Sequence, residues 1–156
     1  GSRPVLVEIE ALVAPSTLAS PRRNVVGWDS SRLAMLTAVL EARCGVPLSG
    51  RDIFLNVAGG LKIAETAADL AVAAALISSV TGRPAPPRCV FFGEVALSAE
   101  LRQVAQADAR LKEAAKLGFD MAVMPRPRKK LAAPTGLSLG QPATLAELIE
   151  IMGGVS

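Results

Sequence analysis

The chain has 156 residues, 51% of them hydrophobic, a net charge of +3 and no histidine; that length supports a single core burying about 70% of the unfolded surface. Lacking histidine, it has neither the commonest general base nor the commonest zinc ligand, and two distant cysteines, Cys44 and Cys89, cannot close a four-ligand site. Ser-His-Asp catalysis and metal chemistry are therefore excluded. So few cysteines, with no secretory leader, point to a reducing cytoplasm and to thiols that fill the core. No apolar run reaches the ~18 residues of a membrane span.

Gly1 and Ser2 read as a tag remnant, which leaves residues 3–156 as one domain taken from a longer natural chain. Residues 5–13 alternate apolar and polar side chains, Val5, Val7 and Ile9 against Glu8 and Glu10, and predict a half-buried strand near a sheet edge. Residues 15–24 carry Pro15, Ser16, Ser20 and Pro21 and predict a loop. Asp29 is an N-cap for a helix with Leu33, Leu36, Leu40 and Cys44 on one face, stopped by Gly45. Residues 53–57 predict a strand closed by Gly59-Gly60. Thr66 and Asp69 resemble a capping box opening a helix to about Val80, which Gly82 and Pro84 end. The alanines of that helix, Ala67 to Ala75, let a neighbouring backbone approach closely and predict a buried central element.

Residues 89–92 form a strand-length apolar run, and residues 95–104 suit a hairpin turning at Ser98-Ala99-Glu100. A helix starts near Asp108, faces Leu111 and Ala115 inward and stops at Gly118; residues 121–124 predict a strand ended by Pro125. Residues 125–142 predict a basic, proline-rich loop. The last helix, about 143–152, has Thr144 and Glu147 as a capping box and a stripe of Leu145, Leu148, Ile149 and Met152. Strands separated by helices, plus one hairpin, give an α/β (α+β) domain: a mixed β-sheet packed with helices.

Five segments in order carry a resemblance: Val26-Gly27-Trp28-Asp29-Ser30-Ser31-Arg32-Leu33, Asn56-Val57-Ala58-Gly59-Gly60, Glu65-Thr66-Ala67-Ala68-Asp69-Leu70-Ala71, Phe92-Gly93-Glu94-Val95, and the stretch from Arg110 to Phe119. Together they resemble the C-terminal domain of the bacterial RadA (Sms) family, which is similar to the proteolytic domain of Lon. The resemblance implies the Lon proteolytic-domain-like fold, shared with a ribosomal-protein domain (domain-2-like) and with GHMP kinases. In Lon, a serine in a Gly-Pro-Ser-Ala-Gly turn is activated by a neutral lysine that follows the hairpin. Carried across, the serine falls on Ala67, and the lysine falls on or beside Asp108, whose simpler task is to cap its helix. Both halves of the dyad are missing, so the resemblance implies a degenerate peptidase that is not itself an enzyme. It further implies a parent with a zinc finger and a RecA-like ATPase core that use Zn, ATP and Mg. That parent is expected to form a hexameric ring and to drive branch migration on DNA with recombination proteins such as RecA, away from the membrane.

Other candidates have competing readings. Gly59-Gly60-Leu61-Lys62 imitates the Gly-Gly-Leu-Lys around the Lon lysine but precedes the serine position, so Lys62 reads as a surface residue beside a turn. Ser30 and Ser31 read as first-turn residues behind Asp29, and Trp28 as a packing anchor, since 3% aromatic content gives little stacking surface. Arg126, Arg128, Lys129 and Lys130, with the pair Arg22 and Arg23, are the DNA-binding candidates; removing the first four leaves the remaining chain slightly acidic. A solvated, solubilising loop is the alternative for that cluster. For the chain as a whole the rivals are a working Ser-Lys peptidase with displaced residues and an RNA-binding or kinase-like module on the same fold.

Overall fold

The computed structural model describes residues 8–58 and 66–155, an α/β arrangement of helices and open sheets. Strand β1 (Glu8–Pro15) pairs antiparallel with β3 (Arg51–Ala58) over eight positions, and β2 (Arg23–Val26) adds in parallel on the far side of β3. The order β1-β3-β2 puts β1 at an edge, as its half-buried alternation predicts. Ile9, Ala11 and Val13 face the core on β1, and Ile53, Leu55 and Val57 do so on β3. The opposite face stays open, with Leu12 and Val26 more than half exposed.

Strand β2 corrects the reading of residues 15–24 as a loop throughout. Four residues, Arg-Asn-Val-Val, are too short to show a period. Their conformation is imposed by β3: the Ile53 N–H donates to the Arg22 carbonyl at 2.8 Å, and the Arg22 N–H donates to the Asp52 carboxylate at 2.7 Å.

The second sheet, β4 (Cys89–Phe91), β7 (Met121–Val123) and β8 (Ser138–Gly140), is parallel throughout and ordered β4-β7-β8. Strand β8 lies inside the segment read as a basic loop. Strands β5 (Glu94–Val95) and β6 (Leu101–Arg102) form the expected hairpin, with Glu94 opposite Arg102. The single mixed sheet expected from the sequence thus resolves, among the described residues, into two three-stranded sheets and a hairpin.

Helix α1 (Ser30–Cys44) begins as predicted: the Asp29 carboxylate accepts from the Ser31 N–H at 2.9 Å, and Gly45 closes the helix at φ 67°. Helix α2 (Asp69–Thr81) follows a 3-10 turn, Thr66–Ala68, and packs against both β1 and β4. Leu70, Val72, Ala73, Leu76 and Ile77 are fully buried on it; each large side chain among them stabilises the fold by about 1.5–3 kcal/mol. The small residues let α2 lie close to both sheets, so the prediction of a buried central helix holds. The capping box does not: position 68 has no side-chain cap, and the Asp69 carboxylate turns into the core.

Helix α3 (Ala107–Lys116) covers the second sheet through Leu111 and Ala114, which join Val90, Phe92, Ala122, Met124 and Leu137 in a satellite core. Asp108 does not cap it. Gln106 occupies that position without a side-chain bond, while Asp108 pairs with Lys112 one turn on at 3.0 Å. Helix α4 (Leu145–Ile151) has the predicted capping box, in which Thr144 accepts from the Glu147 N–H at 3.3 Å and Glu147 accepts from the Ala143 N–H.

Candidate functional site

The corner where α2 begins holds Ala67, the position onto which the Lon resemblance would carry a serine. Ala67 is buried in the 3-10 turn, and its carbonyl accepts from the Gly93 N–H at 3.0 Å; the Gly93 carbonyl in turn accepts from the Leu70 N–H at 3.1 Å. The side chain facing this corner is a methyl group, which cannot attack a carbonyl. Asp108 stands on the first turn of α3 with its carboxylate more than half exposed, and it is committed to Lys112. It has no amine with which to activate a hydroxyl.

Two residues past Ala67, Asp69 is the most enclosed charged group described, with no accessible surface. Its Oδ1 accepts from Arg32 Nε at 2.9 Å, and its Oδ2 accepts from Arg32 Nη2 and from the Val95 N–H, the latter at 3.0 Å. One carboxylate thereby joins α1, α2 and β5. Burial pushes the Asp69 carboxyl above the ordinary carboxylate range, against the guanidinium and the Val95 amide. The hydrogen bond to Asp69 raises Arg32 in return. In sequence only two signs of this pair were visible, an aspartate in an otherwise apolar helix and an arginine beside a core-facing leucine, and nothing local connected them.

Gly93 is also the seat of Pro125. A Cβ at Gly93 would lie 2.8–2.9 Å from the Pro125 ring, so only glycine admits the buried proline there. The basic segment starts from that contact. Arg126, Arg128, Lys129 and Lys130 are all exposed, and among the described residues none of them has an ion-pair partner. Arg22 differs. Its guanidinium donates to Asp52 Oδ2 at 3.2 and 2.8 Å and lies over the Phe54 ring, 5.5 Å from the centroid. Arg23 reaches the Leu48 carbonyl at 3.4 Å. The six candidate cations therefore fall into two groups, one beside β2 and β3 and partly engaged in holding them together, the other in the segment between β7 and β8 and without ion-pair partners among the described residues.

Trp28, Ser30 and Ser31 take places at the start of α1. Trp28 is buried beside the entrance of α1, and Ser30 and Ser31 sit exposed in its first turn. Lys62 and Gly59-Gly60 lie outside the described residues. A cavity of about 530 Å³ opens between the edges of β1 and β4, floored by Ala71, Ala74, Ala75 and Ser78 and walled by Cys89 and Phe91. Burial pushes the Cys89 thiol up to about 11, so it stays protonated at neutral pH and is a poor nucleophile. No described helix is long and apolar enough to cross a membrane.

Residues 28–128, well over half the chain and the whole run from Trp28 through the hairpin to the start of the basic segment, match the family model described as subunit ChlI of Mg-chelatase. The chain belongs to that family. Relatives of this ChlI-family chain bear a different name. A protein of Brucella abortus called DNA repair protein RadA is 56% identical over 149 residues, which is 96% of this chain and 32% of that protein. Proteins of the same name in Pseudomonas aeruginosa and Synechocystis are 52% and 51% identical over 89% and 81% of this chain, and over 31% and 25% of their own length. The chain spans about a third of the relatives it matches.

Proposed function

We propose that this ChlI-family chain is the non-peptidase, Lon-like portion of a RadA-type DNA-repair protein, and that it contributes subunit contacts and a DNA-facing basic surface to a larger cytoplasmic ring. The observation that carries the reading is the pairing of a buried Ala67 with a lysine-paired Asp108 at the two dyad positions, beside a cluster of four unpaired cations. A packed surface and a charged segment are what such a domain has left to act through. The DNA-repair name is preferred to the chelatase description because it comes from proteins identical to this chain at more than half of the aligned positions, over 81–96% of this chain in the three relatives above. ATP, Mg and Zn chemistry, branch migration, hexamer formation and association with RecA are assigned to the longer protein.

Three measurements test this. Purified chain should release no product from casein or fluorogenic peptides, with or without ATP; turnover that persists through purification and vanishes on substitution of a residue of this chain would return it to the peptidases. It should bind duplex DNA without sequence preference, and its log affinity against log salt should lose about 3–4 units of slope in the Arg126/Arg128/Lys129/Lys130→Ala variant, since each neutralised phosphate contributes about 0.9. Light scattering over a concentration series should show self-association, and a strict monomer at the highest concentration would remove the assembly role.

A further inference from the structure

Two strand edges flank the cavity that lies on α2, and the hydrogen bonds around them show which way their backbones turn. The Ser16 N–H, one residue past β1, donates to the Gly50 carbonyl at 3.0 Å, on the β3 side, whereas the Val13 N–H donates to Ser79 Oγ of α2 at 2.8 Å. Backbone direction alternates along a strand, so Ile9 and Ala11, like Val13, turn their amides and carbonyls away from β3. On β4 the Phe92 N–H donates to the Val123 carbonyl at 3.1 Å and the Arg88 carbonyl accepts from the Asp120 N–H at 2.9 Å. Cys89 and Phe91 accordingly turn theirs away from β7.

Helix α2 and the turn before it close each edge at one point. Ser79 takes the Val13 amide, while Ala67 and Leu70 take the amide and carbonyl of Gly93. Elsewhere on the two rims, the outward backbone groups of Ile9, Ala11, Cys89 and Phe91 have no hydrogen-bond partner among the described residues. The cavity of about 530 Å³ lies beside all four, and the alanine methyls of α2 give it its depth. A row of unmatched amides and carbonyls over an apolar floor is complementary to one kind of occupant, an extended backbone with apolar side chains at every second position.

The other edge of β1 is already taken by β3. Polypeptide entering β1 from upstream therefore has only the outer edge to pair with, and consecutive strands lie beside one another roughly two-thirds of the time, most simply as a hairpin. This chain covers 32% of the Brucella relative, and the resemblance to the RadA family sets the other domains upstream. We propose that, in the longer protein, the polypeptide directly preceding Arg3 folds back as a strand on the outer edge of β1 and fills this cavity. The proposal rests on the reading of this chain as one portion of a RadA-type protein, and adds how the rest of that protein completes its fold.

The test compares amide hydrogen exchange in this chain with that in a chain extended upstream by about ten natural residues, enough for a turn and a strand of five or six. The Ile9 and Ala11 amides should exchange about tenfold more slowly in the extended chain, as newly bonded groups do. Ala75→Phe, which fills the cavity from its floor, should restore fast exchange in the extended chain. Ala11→Pro gives a second check, because proline is tolerated on an edge whose N–H faces outward; it should lower the urea midpoint of the extended chain more than that of this one. Equal exchange at Ile9 and Ala11 in the two chains overturns the proposal and leaves the RadA reading intact. Slowing that appears only at high protein concentration also overturns it, since a second copy would then be the occupant. A natural protein with nothing upstream of Arg3 removes both.

Discussion

Asp69 sits where water cannot compensate for a lost partner, so its three hydrogen bonds decide whether its charge is tolerable. Truncating one member of such a pair leaves the other uncompensated and costs about 3–5 kcal/mol, whereas replacing both with apolar side chains is often close to neutral. Asp69→Ala should therefore lower the denaturation midpoint sharply, and Arg32→Met with Asp69→Leu should recover most of the loss; a single variant with the parent's midpoint would remove the clamp from α1, α2 and β5. Asp52 behaves differently with pH. The Arg22 backbone N–H, and then its guanidinium, hold the Asp52 carboxyl below its ordinary value of 3.8. The folded chain takes up that proton less readily than the unfolded chain, so the stabilisation is complete above the ordinary value and is lost as pH falls through it towards the lower folded one. Acid titration of thermal stability should be shallower in Asp52→Asn below about pH 4.

At the scale of elements, the junction between β2 and α1 turns on Gly27. Its φ is 83°, and a Cβ there would come within 2.0 Å of the Val57 carbonyl oxygen, a backbone atom that cannot swing away. Gly27→Ala should destabilise by about 3 kcal/mol, read as a shift in urea midpoint with unchanged m-value, and a neutral effect would mean that β3 yields at Val57. All four helices were legible in the sequence because each repeats its apolar positions over several turns and has a glycine or a capping residue at an end, as with Asp29 and Gly45 around α1. Strands β2 and β8 were not, since Arg-Asn-Val-Val and Ser-Leu-Gly are neither the apolar runs that mark β4 and β7 nor long enough to show a period, and both are specified by partners distant in the chain. The same limit hid the candidate site. Ala67 could be placed by its neighbours in sequence, but Asp69 reads locally as a cap, and only the packing of α1 and β5 around it reveals a buried charge. The hydrogen bond from Gln103 Nε2 to the Arg126 carbonyl carries no sequence signal at all, because the two residues are 23 positions apart.

Across the whole molecule, α2 separates two sheets whose cores differ in size, and the chain returns to the larger one at its end. After the basic segment it adds β8 to β7 and then seats Leu145 and Leu148 of α4 in the main core. Arg126, Arg128, Lys129 and Lys130 are exposed between β7 and β8, in the longest stretch without helix or strand among the described residues. Brief trypsin treatment should consequently sever the chain there first, yield two pieces on a denaturing gel, and leave a single species in native chromatography; fragments that part company under native conditions would contradict it. Bound DNA should slow that scission. An architecture that survives a break at this point does not require the basic segment to be covalently continuous, so its length can change without loss of the fold while β8 and α4 stay docked as a complementing fragment.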